Sequence, residues 1–255
     1  MSKAHPSKKS IKKAIKRCLG LREVWDIQRY LAMILGSDKE CRTAIDLGYG
    51  YRSILSAYRP LLKTTGVEIF EESLEKAKKM QQHDHYIHSG ILDLDIEKAI
   101  TLNGGKFDLV TAVEVIEHMP KKDGYKLLEI CEQLTQKYIL ITTPNGFLEQ
   151  GPEYGNEYQR HLSGWFPHDF EGLGYKVYGW VGMKSMTGYA GRLKSNSLFY
   201  RGVNSILSSL LNINERPQFA FSLIAIKDVR GAPARLEGSD DFQYNMPENA
   251  LLVSR

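Results

Sequence analysis

The stretch Ala44-Ile45-Asp46-Leu47-Gly48-Tyr49-Gly50-Tyr51-Arg52 decides the fold, because it runs an apolar strand into a glycine-bearing turn. Thr43 to Leu47 reads as a buried strand, and Arg52 to Leu61 as a helix ended near Pro60. Gly48 and Gly50 let the backbone bend tightly and approach a ligand with no Cβ in the way. The free N–H groups of a following helix would face a carboxylate or another anion.

Outward from this turn, short apolar runs alternate with amphipathic stretches. Strands are expected at Thr65 to Ile69, His85 to His88, Phe107 to Val113 and Tyr138 to Thr142, with helices at Glu71 to Gln81, near Ile96 and at Lys122 to Leu134. Such alternation implies βαβ units, hence a doubly wound α/β fold with a mostly parallel sheet and helices on both faces. A short helix at Phe166 to Leu173 and strands at Lys176 to Trp180 and Phe219 to Ile226 bring the sheet to seven strands. Between those last strands lies an insertion at about 181–216, with Gly182, Gly188 and Gly191 and an amphipathic helix from Ser197 to Leu211. That helix is expected to pack Leu198, Val203, Ile206, Leu210 and Leu211 onto the sheet, with a substrate lid or a peripheral membrane contact as the other readings.

Eighteen residues after Gly50 comes Glu68, at the end of the second strand, where an acid accepts hydrogen bonds from ribose hydroxyls. Two cofactor types fit this arrangement. A dinucleotide site wants G-x-G-x-x-G, and Ser53 breaks that pattern. Asp46, two residues before the first glycine, is instead placed to orient an ammonium group, which favours an amino-acid moiety over a pyrophosphate.

On these residues the chain resembles the class I S-adenosylmethionine-dependent methyltransferases, whose first motif is D-x-G-x-G. The resemblance runs from about Thr43 to Ile226 and implies the Rossmann-like methyltransferase fold. It implies Asp46, Gly48, Gly50 and Glu68 as cofactor-binding residues, with S-adenosylmethionine as the cofactor. The chain departs from the pattern at Tyr51, where a third glycine is common, and at Gly90, where an acid is common. Asp93, or backbone groups at Ile91 and Leu92, would then serve the adenine; equally, Asp93 would only cap the helix near Ile96.

The fourth strand ends in Val113-Glu114-Val115-Ile116-Glu117-His118-Met119-Pro120. Acids at the exit of a buried strand need compensation, since an unpartnered buried carboxylate is costly. If the chain turns helical after Val113, Glu114, Glu117 and His118 share a face and could hold a divalent cation, with His161 as a fourth ligand. The segment resembles the ubiquinone-biosynthesis O-methyltransferases. It is also similar to the small-RNA ribose O-methyltransferases, through Thr143-Pro144-Asn145 and His161 four residues before Trp165. That resemblance implies Mg or Mn lowering the pKa of an acceptor hydroxyl. In the metal-free reading Glu114 binds cofactor, Glu117 caps a helix, and His118 and His161 are the catalytic residues lining the acceptor pocket.

Composition bounds the rest. The chain of 255 residues, 42% hydrophobic, can bury one sizeable core. Its net charge of +4 is uneven: eight Lys and Arg and no acid fall in the first 22 residues, leaving 26 basic against 30 acidic residues beyond them. Residues 1–40 read as a basic helical extension, 41–228 as the methyltransferase domain, and 229–255 as a weakly ordered tail. Three scattered cysteines, no signal-peptide pattern and no long apolar run lead to the expectation of a cytoplasmic protein. The expected function is methyl transfer to an oxygen of a small-molecule, glycan or lipid-linked acceptor. Metal-assisted methylation of an RNA ribose is the alternative, and a non-catalytic binding module on the same fold a third reading. A basic N-terminus would serve nucleic acid in the second case, although no aromatics interleave its lysines.

Overall fold

The computed structural model describes residues 27–153, 155–187, 195 and 197–231. The basic stretch at residues 1–26, Gly188 and Gly191 of the insertion, and the tail beyond 231 lie outside the described residues. Seven strands form one sheet: β1 (Thr43–Leu47), β2 (Lys63–Glu68), β3 (His85–His88), β4 (Phe107–Val113), β5 (Thr135–Pro144), β6 (Lys176–Met183) and β7 (Ala220–Asp228). Their order is β3-β2-β1-β4-β5-β7-β6, with only β7 antiparallel to its neighbours. The winding reverses between β1 and β4, so the crevice for ligands opens at the carboxyl ends of those two strands.

Among the described residues six helices cover the faces: α1 (Ile27–Ser37), α2 (Glu71–Lys79), α3 (Ile96–Asn103), α4 (Lys121–Leu134), α5 (Pro167–Glu171) and α6 (Leu198–Leu210). Residues that alternate along each strand feed two cores, one per face. One gathers Ile45, Leu47, Val110, Leu127 and Ile141; the other gathers Tyr30, Leu31, Ala44, Leu109 and Leu140. Each such Leu or Ile contributes roughly 1.5–3 kcal/mol by leaving water. No helix among the described residues is long and apolar enough to cross a membrane.

Three expectations are corrected. The helix expected from Arg52 to Leu61 is only a 3₁₀ turn, Ile54–Tyr58. Its start is pinned because the Ser53 hydroxyl is tied to Asp46 and also accepts from Leu55 N, while Pro60 has no N–H to continue a helix. The tail does not begin loosely at 229. Val229 N donates to Lys137 O, and Arg230 binds Asp228, Asp38 and the Tyr138 hydroxyl. Finally, Ile206 and Leu210 of α6 face outward rather than onto the sheet.

Candidate active site at the carboxyl end of the sheet

The glycine turn after β1 is held from below by buried polar groups. Asp46 accepts from the Ser53 hydroxyl at 2.5 Å and from the Thr111 hydroxyl at 2.7 Å. Burial pushes its carboxyl up to about 6 against those two donors. Asp46 is thus buried beneath the turn with one donor on each oxygen, and it positions the loop. Gly48 has φ +66, and a Cβ there would lie 3.0 Å from Val115 Cγ2, so glycine is required on both counts.

Glu68, at the end of β2, closes the turn from the other side. Its two oxygens accept from Gly50 N at 2.8 Å and from Phe70 N at 2.9 Å. Burial raises its pKa, opposed by these backbone donors. Each carboxylate oxygen keeps acceptor capacity, so ribose hydroxyls could still be received. Behind it, Gly66 leaves room for Tyr49 and His83, whose rings meet at 4.7 Å.

At the exit of β3, Gly90-Ile91-Leu92-Asp93 forms a 3₁₀ turn. A Cβ on Gly90 would meet Asp93 Oδ2 at 3.0 Å, so the Asp93 carboxylate occupies the space a side chain at 90 would fill. Asp93 is not the helix cap: α3 is capped by Asp95, which accepts from Lys98 N. Ile91 reaches toward Gly48, its Cδ1 lying 3.5 Å from where a Cβ there would sit, and the Leu92 side chain is exposed beside it.

The β4 exit departs from the helical turn expected there. Glu114 takes φ +53, and the 3₁₀ turn starts only at Ile116. Glu114 stays near Glu117 but lies outside the group of ligand atoms that are all within 4.8 Å of one another. Glu114 N donates to Thr142 O and Oγ1, while the Thr142 hydroxyl donates to Glu114 Oε1 at 2.8 Å. Burial pushes its carboxyl up to about 7.

Glu117, His118 and His161 do converge, their ligand atoms all within 4.8 Å of one another. The loop after β5 brings His161 in, because Leu162 N and Ser163 N both donate to Glu117 O. Trp165 fixes that loop by filling the space left by Gly124 of α4. The Nδ1–H of His161 donates to Leu148 O at 2.6 Å, and that of His118 to Arg160 O at 3.3 Å. Burial holds His118 down at about 4 and lowers His161, which favours the neutral rings. Glu117 is only 2% exposed, and neither of its oxygens has a hydrogen-bond partner among the described residues. Burial and the nearby Glu114 raise its pKa well above the ordinary range. The metal set expected as Glu114, Glu117, His118 and His161 therefore reduces to the last three.

Sequence reasoning missed the hydroxyls that hold these acids, Ser53, Thr111 and Thr142. The visible signal for the last was a threonine directly after the apolar run Tyr138-Ile139-Leu140-Ile141. It also missed the exposed large apolar side chains Phe147, Tyr158, Leu162 and Phe166 in the segment after β5.

Residues 38–180, more than half of the chain, match the family described as "Methyltransferase domain". The chain belongs to that methyltransferase family. With its sheet order and glycine turn, it is a class I S-adenosylmethionine-dependent methyltransferase, which removes the reading as a non-catalytic module. Among solved structures it is similar to a SAM-dependent methyltransferase from Archaeoglobus fulgidus, at 20% identity, 86% of this chain, 95% of that chain and a TM-score of 0.49. It is also similar to the magnesium protoporphyrin IX methyltransferase of Synechocystis with bound SAH, at 13% identity, covering 89% and 90% of the two chains, TM-score 0.44. A third is the plantazolicin methyltransferase BpumL in complex with SAH, at 18% identity, covering 87% and 89%, TM-score 0.46. A comparison with curated proteins finds no significant match.

Proposed function

We propose that the protein methylates an oxygen of a small-molecule, glycan or lipid-linked acceptor at the Glu117-His118-His161 side of the crevice. S-adenosylmethionine supplies a methyl already activated on a sulfonium, so the chain's task is alignment more than proton removal. Gly48, Gly50 and Glu68 hold the amino-acid and ribose parts, Ile91, Leu92 and Asp93 border the adenine, and Glu114 faces the sulfonium end. His118 and His161 each offer an unprotonated Nε2, to which an acceptor O–H donates and so turns an oxygen lone pair toward the methyl. As the new O–CH₃ bond forms, the S–CH₃ bond breaks with its electrons passing to sulfur, and the hydroxyl proton leaves through the imidazole.

The observation that carries this reading is the pair of imidazole rings, each bonded at Nδ1 to a backbone carbonyl, with centroids 4.8 Å apart. The test uses methyl-labelled donor with cell extract separated into aqueous, organic and RNA fractions. Label in an alkali-stable small or lipid product, lost in His118→Ala, is expected; label in RNA alone contradicts the acceptor class.

A second reading has its own observation. The two oxygens of buried Glu117, neither hydrogen-bonded among the described residues, with one carboxylate oxygen and a ring nitrogen of each histidine within 4.8 Å of one another, suit a divalent cation of borderline softness. Glu117, His118 and His161 would hold it, and it would acidify a bound hydroxyl. Calorimetry with Mn²⁺ and Zn²⁺ tests it: saturable heat abolished by His161→Ala supports the cation, and no heat with either ion removes it.

A further inference from the structure

Helix α6 turns polar groups inward and an apolar stripe outward. On its inner side Asn204 Oδ1 accepts from Met183 N, the Tyr200 hydroxyl donates to Met186 O, and Ser208 and Ser209 are buried. On its outer side Phe199 is 81% exposed and Leu210 65% exposed, with Ile206 and Leu207 also exposed. These positions are spaced seven, eight and eleven apart, with half-buried Val203 four from Phe199, so they share one face. A soluble helix ordinarily shows the opposite polarity.

Charge says what covers that face. Residues 181–216 hold five basic side chains (Lys184, Arg192, Lys194, Arg201 and Arg216) against one acid, Glu215. Outside this insertion and the first 22 residues, 21 basic residues face 29 acidic ones. The insertion is thus a basic island in an acidic body, and it carries the apolar stripe. A second copy of the chain is a poor occupant. A helix of 13 residues is about 20 Å long and offers a stripe on the order of 200 Å², against about 800 Å² per partner in a stable interface. Shallow insertion into a bilayer needs no larger area, provided basic residues add attraction to anionic headgroups.

The helix is joined to the segment that follows β5. Lys184, at the end of β6, donates to Asn145 O and lies 5.9 Å from the centre of the Phe166 ring. Tyr200 in the first turns of α6 bonds the same 3₁₀ segment through Met186. Phe147, Leu162 and Phe166 in the segment after β5 are exposed apolar side chains as well.

We propose that the outward face of α6 docks on an anionic phospholipid bilayer, and that the enzyme meets a lipid-linked acceptor at that surface. The second half of this inference rests on the acceptor class proposed above; the docking does not. The test is co-sedimentation of the full chain with vesicles containing phosphatidylglycerol and with vesicles of phosphatidylcholine alone, for wild type and for Phe199→Ser/Leu210→Ser. Both substituted side chains are exposed, so the fold should be kept, as circular dichroism will report. Wild type should sediment with the anionic vesicles alone, and the variant should bind at least about tenfold more weakly. Equal binding by the variant, equal binding to both vesicle types, or no binding at all overturns the proposal. So does a concentration-dependent wild-type dimer, abolished in the variant, without vesicle binding. S-adenosylhomocysteine affinity is measured on the same samples and should be unchanged by the substitutions. Its absence in both proteins would count against the methyl-transfer reading and leave the vesicle result to stand by itself.

Discussion

The two halves of the crevice are finished to different degrees. On the β1–β2 side every carboxylate oxygen already holds a donor from the fold itself, Asp46 two hydroxyls and Glu68 two backbone N–H groups. On the β4–β5 side Glu117 is buried with neither oxygen hydrogen-bonded among the described residues, and a ring nitrogen of each of His118 and His161 lies within 4.8 Å of it. A half that receives the same donor in every turnover gains from being preorganised. The other half keeps a buried acid that the described residues do not satisfy, and the fold bears that cost.

The largest effect should come from disturbing the finished half. Gly48→Val forces a branched side chain into φ +66 and against Val115. It should abolish detectable S-adenosylhomocysteine binding and lower Tm by roughly 5–10 °C by scanning calorimetry. A variant that still binds would show that the turn tolerates rearrangement.

Glu117→Gln sharpens the contrast from the unfinished side. The raised pKa of Glu117 means that the folded state binds its proton more tightly than the unfolded chain does. Stability is therefore lost as pH rises from the ordinary carboxylate range through the raised value. In chelator at neutral pH the variant should gain about 3 °C in Tm, with a flatter pH dependence. A loss of Tm that appears only when Mn²⁺ or Zn²⁺ is present would favour the cation.

A smaller effect should arise at the seam between the halves. Glu114, pushed up to about 7, becomes anionic as pH rises through that value. The anion attracts the sulfonium of S-adenosylmethionine and gains nothing from the neutral sulfur of S-adenosylhomocysteine. Competition binding should therefore show the preference for the donor rising by about tenfold across that range. A flat ratio would place Glu114 away from the sulfur. The smallest change is expected for Asp93→Ala, about threefold weaker S-adenosylhomocysteine binding, because an exposed carboxylate contributes one water-competed hydrogen bond. No change would leave the adenine to backbone groups at Ile91 and Leu92.

What was legible in the sequence follows from what each signal encodes. Buried parallel strands are dense apolar runs, so Phe107–Val113 is read to the residue; His85–His88, an edge strand with a single aliphatic residue, is bounded as expected by the alternation of strands and helices around it. Glycines at Gly48 and Gly50 announce positive φ, which the structure has at both. Glu114 announces nothing, because a non-glycine residue in the left-handed region has no compositional mark; its turn undid the four-ligand set. Asp46 was placed at the ligand by its spacing, and only the fold shows Ser53 and Thr111 donating to its two oxygens. Asp95 rather than Asp93 caps α3, a two-residue difference that propensity does not resolve. The stripe of α6 was visible as a period, but a period has the same spacing whether it faces a core or the outside.

We propose that Glu68, pinned to the glycine turn, makes the donor site. Calorimetric titration of wild type and Glu68→Ala with S-adenosylhomocysteine decides this, with circular dichroism to confirm that both are folded. One site per chain is expected in the wild type and about a hundredfold weaker binding in the variant, since charge-assisted bonds are lost and the turn is freed. Equal affinities in the two proteins, or no binding by a folded wild type, would contradict it.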